Sequence, residues 1–145
     1  MLRDDYHFES ASVERVLRFF ELVRARYSGP APGLLQIEDR KLDAAFTASV
    51  RDEIVGVATL AYHDIDNPEP ATLDTVYVLP EHRGRGLGGM LSEIAIRWCI
   101  RIGRRPVLCR ATSVGMQTVL HRFPNDLQRQ MHVRHSANID TFFDP

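Results

Sequence analysis

The run Val76-Tyr77-Val78-Leu79-Pro80-Glu81-His82-Arg83-Gly84-Arg85-Gly86-Leu87-Gly88-Gly89 is where this sequence most concentrates groups that could do chemistry. An apolar stretch with strand character feeds a glycine-rich loop, and the loop opens a segment of helical period. A helix start leaves its first backbone N–H groups without partners and carries a partial positive charge, so a phosphate is favoured there. Glycines let that backbone approach a diphosphate without interference from Cβ atoms. The flanking residues exclude two other phosphate loops. A P-loop needs Lys and then Ser or Thr after its last glycine, where this chain reads Gly89-Met90. Gly84, Gly86 and Gly89 do fit the spacing of a dinucleotide fingerprint, but the acidic ribose partner is missing, because the next strand ends in Arg110-Ala111.

Arg83, Gly86 and Gly88 also satisfy a pattern of Arg or Gln, two residues, Gly, one residue, then Gly or Ala. Together with Val78-Leu79-Pro80 before the loop, Ile54-Val55-Gly56 in an earlier hairpin and the order of elements over nearly the whole chain, this pattern resembles the GCN5-related N-acetyltransferase (GNAT) superfamily. The resemblance implies an α/β fold with a mixed central sheet, helices on both faces, and two strands that splay apart to admit the pantetheine arm of acetyl-CoA. It implies that backbone N–H groups along Arg83, Gly84, Arg85, Gly86, Leu87, Gly88 and Gly89 bind the pyrophosphate. Main-chain groups of Val76, Tyr77 and Val78 would meet the pantetheine and the acetyl carbonyl, where a main-chain donor would stabilise a tetrahedral oxyanion. The implied activity is direct transfer of an acetyl group to a primary amine on a small molecule or peptide.

Many family members place an Asn, then Leu-Tyr and Gly-Phe, on the helix after the next strand, with the tyrosine protonating the departing thiolate. This chain reads Val119-Leu120-His121-Arg122-Phe123-Pro124 there. His121 stands at the tyrosine position and is either the general acid or an exposed helix histidine. A thiol with a reference pKa of about 8.5 leaves as thiolate not far above neutral pH, so protonating it helps but is not obligatory. The attacking amine must shed a proton first, since an ammonium of pKa about 10.4 has no lone pair. Asp74, on the strand leading to the loop, is the candidate base; its alternative role is a solvated or arginine-paired strand aspartate. Because the helix motif has drifted, a GNAT-fold module that binds CoA with weak or no catalysis is the second reading.

The elements that must position these groups follow from periodicity. Tyr6 to Glu9 reads as a first strand. Val13, Val16, Leu17, Phe20, Val23 and Tyr27 recur at helical spacing behind the cap Ser12. Gln36 to Leu42 reads as a short second helix. Ala44 to Val50 and Ile54 to His63 read as a hairpin across Arg51-Asp52-Glu53, with Gly56 marking a bulge. Asn67-Pro68-Glu69-Pro70 reads as a loop and Ala71 to Leu79 as a strand. Leu87, Met90, Leu91, Ile94, Ala95, Trp98 and Ile102 form an apolar helical stripe, with Ser92, Glu93, Arg97 and Arg101 off it, and Gly103 ends the helix. Pro106 to Ala111 reads as a strand, and Met116, Val119, Leu120 and Phe123 as a helix. Leu127 to Arg134 and Ile139 to Phe143 read as a closing hairpin.

With 145 residues, 44% hydrophobic and 26% charged, the chain fits one domain, 1–145, able to bury a core. A formal net charge of -1 gives no general attraction to nucleic acid, and Arg83-Gly84-Arg85-Gly86 lacks the aromatic interleaving of an RNA-binding segment. The N-terminal residues lack the apolar core of a signal peptide, and no apolar run approaches the roughly 20 residues of a membrane span. Cys99 and Cys109 sit in no metal or redox spacing, so no metal is expected and a reduced cytoplasm suits them. Exposed strands leave room for a homodimer, by analogy with the fold.

Overall fold

In the computed structural model, which describes residues 5–26, 42–64, 67–103, 107–111 and 120–135, the strands form a six-stranded sheet in sequence order. They are β1 (His7–Ser10), β2 (Leu42–Val50), β3 (Glu53–Asp64), β4 (Asn67–Val78), β5 (Val107–Ala111) and β6 (Met131–His135). β1 to β4 pair antiparallel, whereas β5 lies parallel to β4 and β6 parallel to β5. The helices described over their whole length are α1 (Val13–Arg26), α2 (Leu87–Arg101) and the single turn α3 (Asn125–Gln128).

α1 and α2 cover opposite faces of the sheet, as the alternation of strand side chains makes plain. Tyr77 of β4 meets Phe19 of α1, ring centroids 6.3 Å apart. Its neighbour Val78 turns the other way, beside Gly56 and beneath Leu91 of α2. Phe46 of β2 lies on that same side and meets Trp98 of α2 at 5.8 Å, which makes Trp98 a packing residue, as its place on the stripe implied. The fold is thus the α/β fold with helices on both faces that the resemblance implied.

Ser12 caps α1 as expected, its Oγ accepting the Arg15 N–H at 3.2 Å. Val16, Phe19, Phe20 and Val23 form the buried face, each large side chain contributing about 1.5–3 kcal/mol by leaving water. In α2 the buried row is Leu87, Gly88, Leu91, Ser92, Ala95, Ile96 and Cys99, so the helix is rotated from the expected stripe. Met90 and Ile102 are exposed, and Ser92 is fully buried. The reason is local: Ser92 Oγ donates to the Gly88 carbonyl at 2.7 Å, which satisfies the hydroxyl internally and lets a small-residue row face the sheet. Gly56 answers that row, because a Cβ there would lie 3.1 Å from Leu91 Cδ1. The expected bulge is also present: the register steps from Ala48↔Gly56 to Ser49↔Ile54, leaving Val55 as the extra residue.

Two sequence expectations need correction. Asn67 to Pro70 belong to β4 instead of a loop. Proline is compatible with extended backbone, and its missing N–H costs little here because the β3 register steps from Tyr62↔Ala71 to Asp64↔Asn67, leaving Pro68, Glu69 and Pro70 unpaired with β3. Leu127 to Arg134 is not one strand: Pro124 accepts from the N–H groups of Leu127 and Gln128 and starts α3, and the strand begins at Met131. That strand pairs parallel with β5, and the expected partner Ile139 to Phe143 lies outside the described residues. The short helix read at Gln36 to Leu42 lies outside them too, apart from Leu42, which starts β2. Of the helix read from Met116 to Phe123, Leu120 and Phe123 are described, and both are buried as the period required.

The β2–β3 turn is closed by Val50↔Glu53 and holds Arg51 and Asp52 at φ 53° and 64°. Positive φ at both central residues is the mark of a type I′ turn, for which Asn-Gly is the preferred pair. We expect Arg51→Asn combined with Asp52→Gly to raise stability by about 1 kcal/mol. Urea unfolding should show a higher midpoint at an unchanged slope.

Candidate active site

Among the described residues, β4 and β5 pair through Ala71↔Val107, Thr72↔Leu108 and Leu73↔Cys109. Past that point β5 continues with β6 to Ala111↔His135, while β4 continues with β3 to Gly56↔Val78. The two central strands therefore part. The change falls at a bulge: the β3 register steps from Leu60↔Leu73 to Thr59↔Thr75, which makes Asp74 the extra residue.

Backbone direction beyond the bulge follows from two hydrogen bonds. The Thr75 N–H reaches Thr59 Oγ1 at 3.1 Å and the Leu79 N–H reaches the Val55 carbonyl at 2.8 Å, so both point toward β3. Strand alternation then turns Tyr77 toward β3 and the main-chain groups of Val76 and Val78 toward the gap left by β5. Of these, the Val78 carbonyl is taken by Arg83 Nε at 2.8 Å. The Val76 N–H and carbonyl and the Val78 N–H line an edge that no strand among the described residues pairs, a template for a linear amide-bearing ligand.

The glycine-rich loop follows directly. A short turn at Pro80–His82 leads to Gly84 and Gly86 in left-handed backbone, φ 79° and 81°, with Gly86 capping α2. The first hydrogen bond into the helix runs from the Met90 N–H to the Gly86 carbonyl at 3.1 Å. The amides of Leu87, Gly88 and Gly89 thus begin the helix without intrahelical partners. A Cβ on Gly84 or Gly86 would meet nothing within 4 Å, so the loop backbone faces open space that a diphosphate could occupy.

The loop's side chains turn back into the protein. Besides its bond to Val78, the Arg83 guanidinium stacks over the Tyr77 ring, 5.3 Å from its centroid. Arg26 of α1 holds Glu81 at 2.9 Å. Tyr6, just before β1, has its hydroxyl 2.9 Å from His82 Nδ1 and accepts from Arg85 at 2.7 Å. Sequence reasoning missed Tyr6, Arg26 and Glu81 as site residues; no local signal links residues so far apart in the chain. The Arg83 side chain, which marks the motif, is spent on the strand end.

The comparisons agree with this geometry. The family described as "Acetyltransferase (GNAT) family" matches residues 12–123. The chain belongs to the GNAT acetyltransferase family. No curated protein matches its sequence significantly. Among solved structures, the IAA acetyltransferase from Bacillus cereus is similar at TM-score 0.62, with 15% identity over 81% of this chain and 75% of that one. The ribosomal-protein-S18-alanine N-acetyltransferase from Escherichia coli gives TM-score 0.59 and 14% identity over 81% and 75%. AAC(6')-Iy in complex with the bisubstrate analog CoA-S-monomethyl-acetylneamine gives TM-score 0.51 and 20% identity over 72% and 78%.

Within this GNAT fold, Asp74 occupies the bulge at the point where β4 and β5 part. His121 is exposed at the end of a helical turn, its carbonyl accepting from Gln128 Nε2 at 2.9 Å. No helix among the described residues is long and apolar enough to cross a membrane. No group of His, Cys, Asp and Glu among them could hold a metal ion.

Burial pushes the pKa of the Tyr77 phenol above its ordinary 10.0, and the nearby Arg83 guanidinium only partly opposes this. The raised value means that Tyr77 favours the folded state fully below pH about 10 and that this contribution is lost as pH rises through the folded pKa. We expect stability to decline above pH about 10 and Tyr77→Phe to decline less steeply. Urea unfolding from pH 8 to 11 checks this; parallel curves for both proteins would refute it.

Proposed function

We propose that the chain is an acetyl-CoA-dependent N-acetyltransferase that moves an acetyl group directly to a primary amine. The observation that carries this reading is the parting of β4 from β5 beside a helix start with free amides. The strand edge left by β5 and the N-terminus of α2 lie end to end, which suits a ligand with a linear amide arm and a diphosphate. The GNAT membership and the neighbour solved with a CoA-containing bisubstrate analog support it. The ribosomal-protein-alanine and aminoglycoside acetyltransferases among the structural neighbours act on amines, which supports an amine acceptor. We read residues 1–145 as one such domain.

Acetyl-CoA, when bound, supplies a thioester whose carbonyl carbon accepts the amine. The amides of the Arg83 to Gly89 loop would hold its diphosphate, and the Val76 carbonyl and Val78 N–H its pantetheine amides. The Val76 N–H would be the donor that polarises the thioester carbonyl, a role worth several kcal/mol when the donor is fixed beforehand. Asp74 would accept the proton of the incoming ammonium, directly or through water. The proton on the thiolate would come from His121 or from water, the leaving group being stable enough for either.

The decisive experiment is release of free thiol from acetyl-CoA in the presence of a panel of amines, preceded by calorimetry with CoA. CoA should raise the melting temperature, whereas NAD and ATP should not. Asp74→Asn should lower kcat by roughly 10²-fold to 10⁴-fold while leaving CoA affinity intact, and His121→Ala should cost that much or less. Gly86→Asn tolerates left-handed backbone but adds a Cβ in the open space, so it should fold normally and weaken CoA by at least about tenfold. Binding without turnover on any amine would favour the catalytically weak CoA-binding module instead.

A further inference from the structure

We infer that Tyr6 is a positioning residue for the phosphate loop: its hydroxyl sets the orientation of the loop's peptide groups by tethering Arg85. This rests on the cofactor reading above. Arg85 stands between Gly84 and Gly86, both in left-handed backbone at φ 79° and 81°. A residue flanked by two glycines has little of its own to fix its peptide planes, since each glycine admits many conformations. Those planes carry the amides of Arg85 and Gly86, next to the helix start. Arg85 is held by its side chain, which donates to Tyr6 Oη at 2.7 Å. Charge-assisted bonds of that length are among the stronger ones.

The same hydroxyl lies 2.9 Å from His82 Nδ1, and the two rings meet edge to face at 5.8 Å, so Tyr6 grips the loop on both sides of Gly84. Because an arginine can only donate, the Tyr6 oxygen accepts from Arg85 and its own hydrogen is free for His82. Tyr6 is anchored in turn by the strand it precedes, whose Phe8 pairs with Ala48 of β2 and packs on the core. The loop is thereby fastened to the far edge of the sheet, away from the gap between β4 and β5. Ordering it before the ligand arrives removes an entropy cost from binding.

The test uses the full chain as wild type, Tyr6→Phe, Arg85→Met and the double variant. Tyr6→Phe keeps the ring contact with His82 and removes only the hydroxyl. CoA affinity by calorimetry should fall about threefold to tenfold in Tyr6→Phe, with the unliganded melting temperature little changed. The losses in the double variant should be clearly less than additive, because the two substitutions share the Tyr6–Arg85 contact. In unliganded Tyr6→Phe the amide NMR resonances of Gly84 and Gly86 should shift or broaden, which a stabilising role elsewhere would not cause. Wild-type affinity in Tyr6→Phe alongside weakened Arg85→Met would overturn the proposal, since Arg85 would then touch the phosphate itself. Fully additive losses would overturn it as well. A wild type that binds no CoA would instead remove the cofactor reading on which the proposal stands.

Discussion

Among the described residues, β4 has a strand on each side from Ala71 to Leu73 and on one side only beyond it, and the rest of the site depends on that asymmetry. Unpaired backbone groups are costly when they are shut away from water, so a sheet does not normally leave a central strand half-partnered. Here the bulge at Asp74 changes the register with β3 at the residue where β5 departs. β3 keeps its grip to the end of β4, finishing with the Leu79 N–H on the Val55 carbonyl. The exposed edge is therefore rigid on one side and open on the other. A ligand that completes the missing rungs recovers hydrogen bonds that water would otherwise supply.

The loop beyond Leu79 continues the same division of labour. Its side chains bind protein: Glu81 to α1, His82 and Arg85 to Tyr6, Arg83 to the end of β4. Its main chain is left facing outward at the start of α2. With Arg83 and Arg85 engaged in this way, attraction for an anion rests on oriented amides and the helix dipole more than on side-chain charge. A chain of net charge -1 can therefore hold a strongly anionic ligand without a basic surface that would gather nucleic acid.

What was legible in the sequence was whatever depends on neighbours along the chain. The strand–loop–helix run could be read because apolar period, glycines and helix start lie within a few residues of one another. Ser92 was misplaced because its burial depends on one hydrogen bond to Gly88, which hydropathy does not record. Pro68 and Pro70 looked like loop residues because the β3 register step that tolerates them is a property of two strands, not one. The bulge at Asp74 and the tether from Tyr6 were invisible for the same reason: each is a relation between distant segments. Even Arg83, picked out by its place in the motif, does with its side chain something the motif does not state.

The drift at His121 also makes physical sense on these terms. The open edge and the loop are made of backbone, and their geometry survives most side-chain changes provided the glycines and the bulge remain. The general acid is a single side chain serving a leaving group that hardly needs it, since a thiolate is only moderately basic near neutral pH. A catalyst of this kind can lose or exchange its acid and keep most of its advantage from orientation and from a fixed donor at the carbonyl. It cannot lose the proton acceptor so easily, because an alkylammonium is several pKa units from its reactive form at neutral pH. On the proposed assignment, the stronger constraint falls on Asp74, at the bulge, and the weaker on His121, at an exposed helix end.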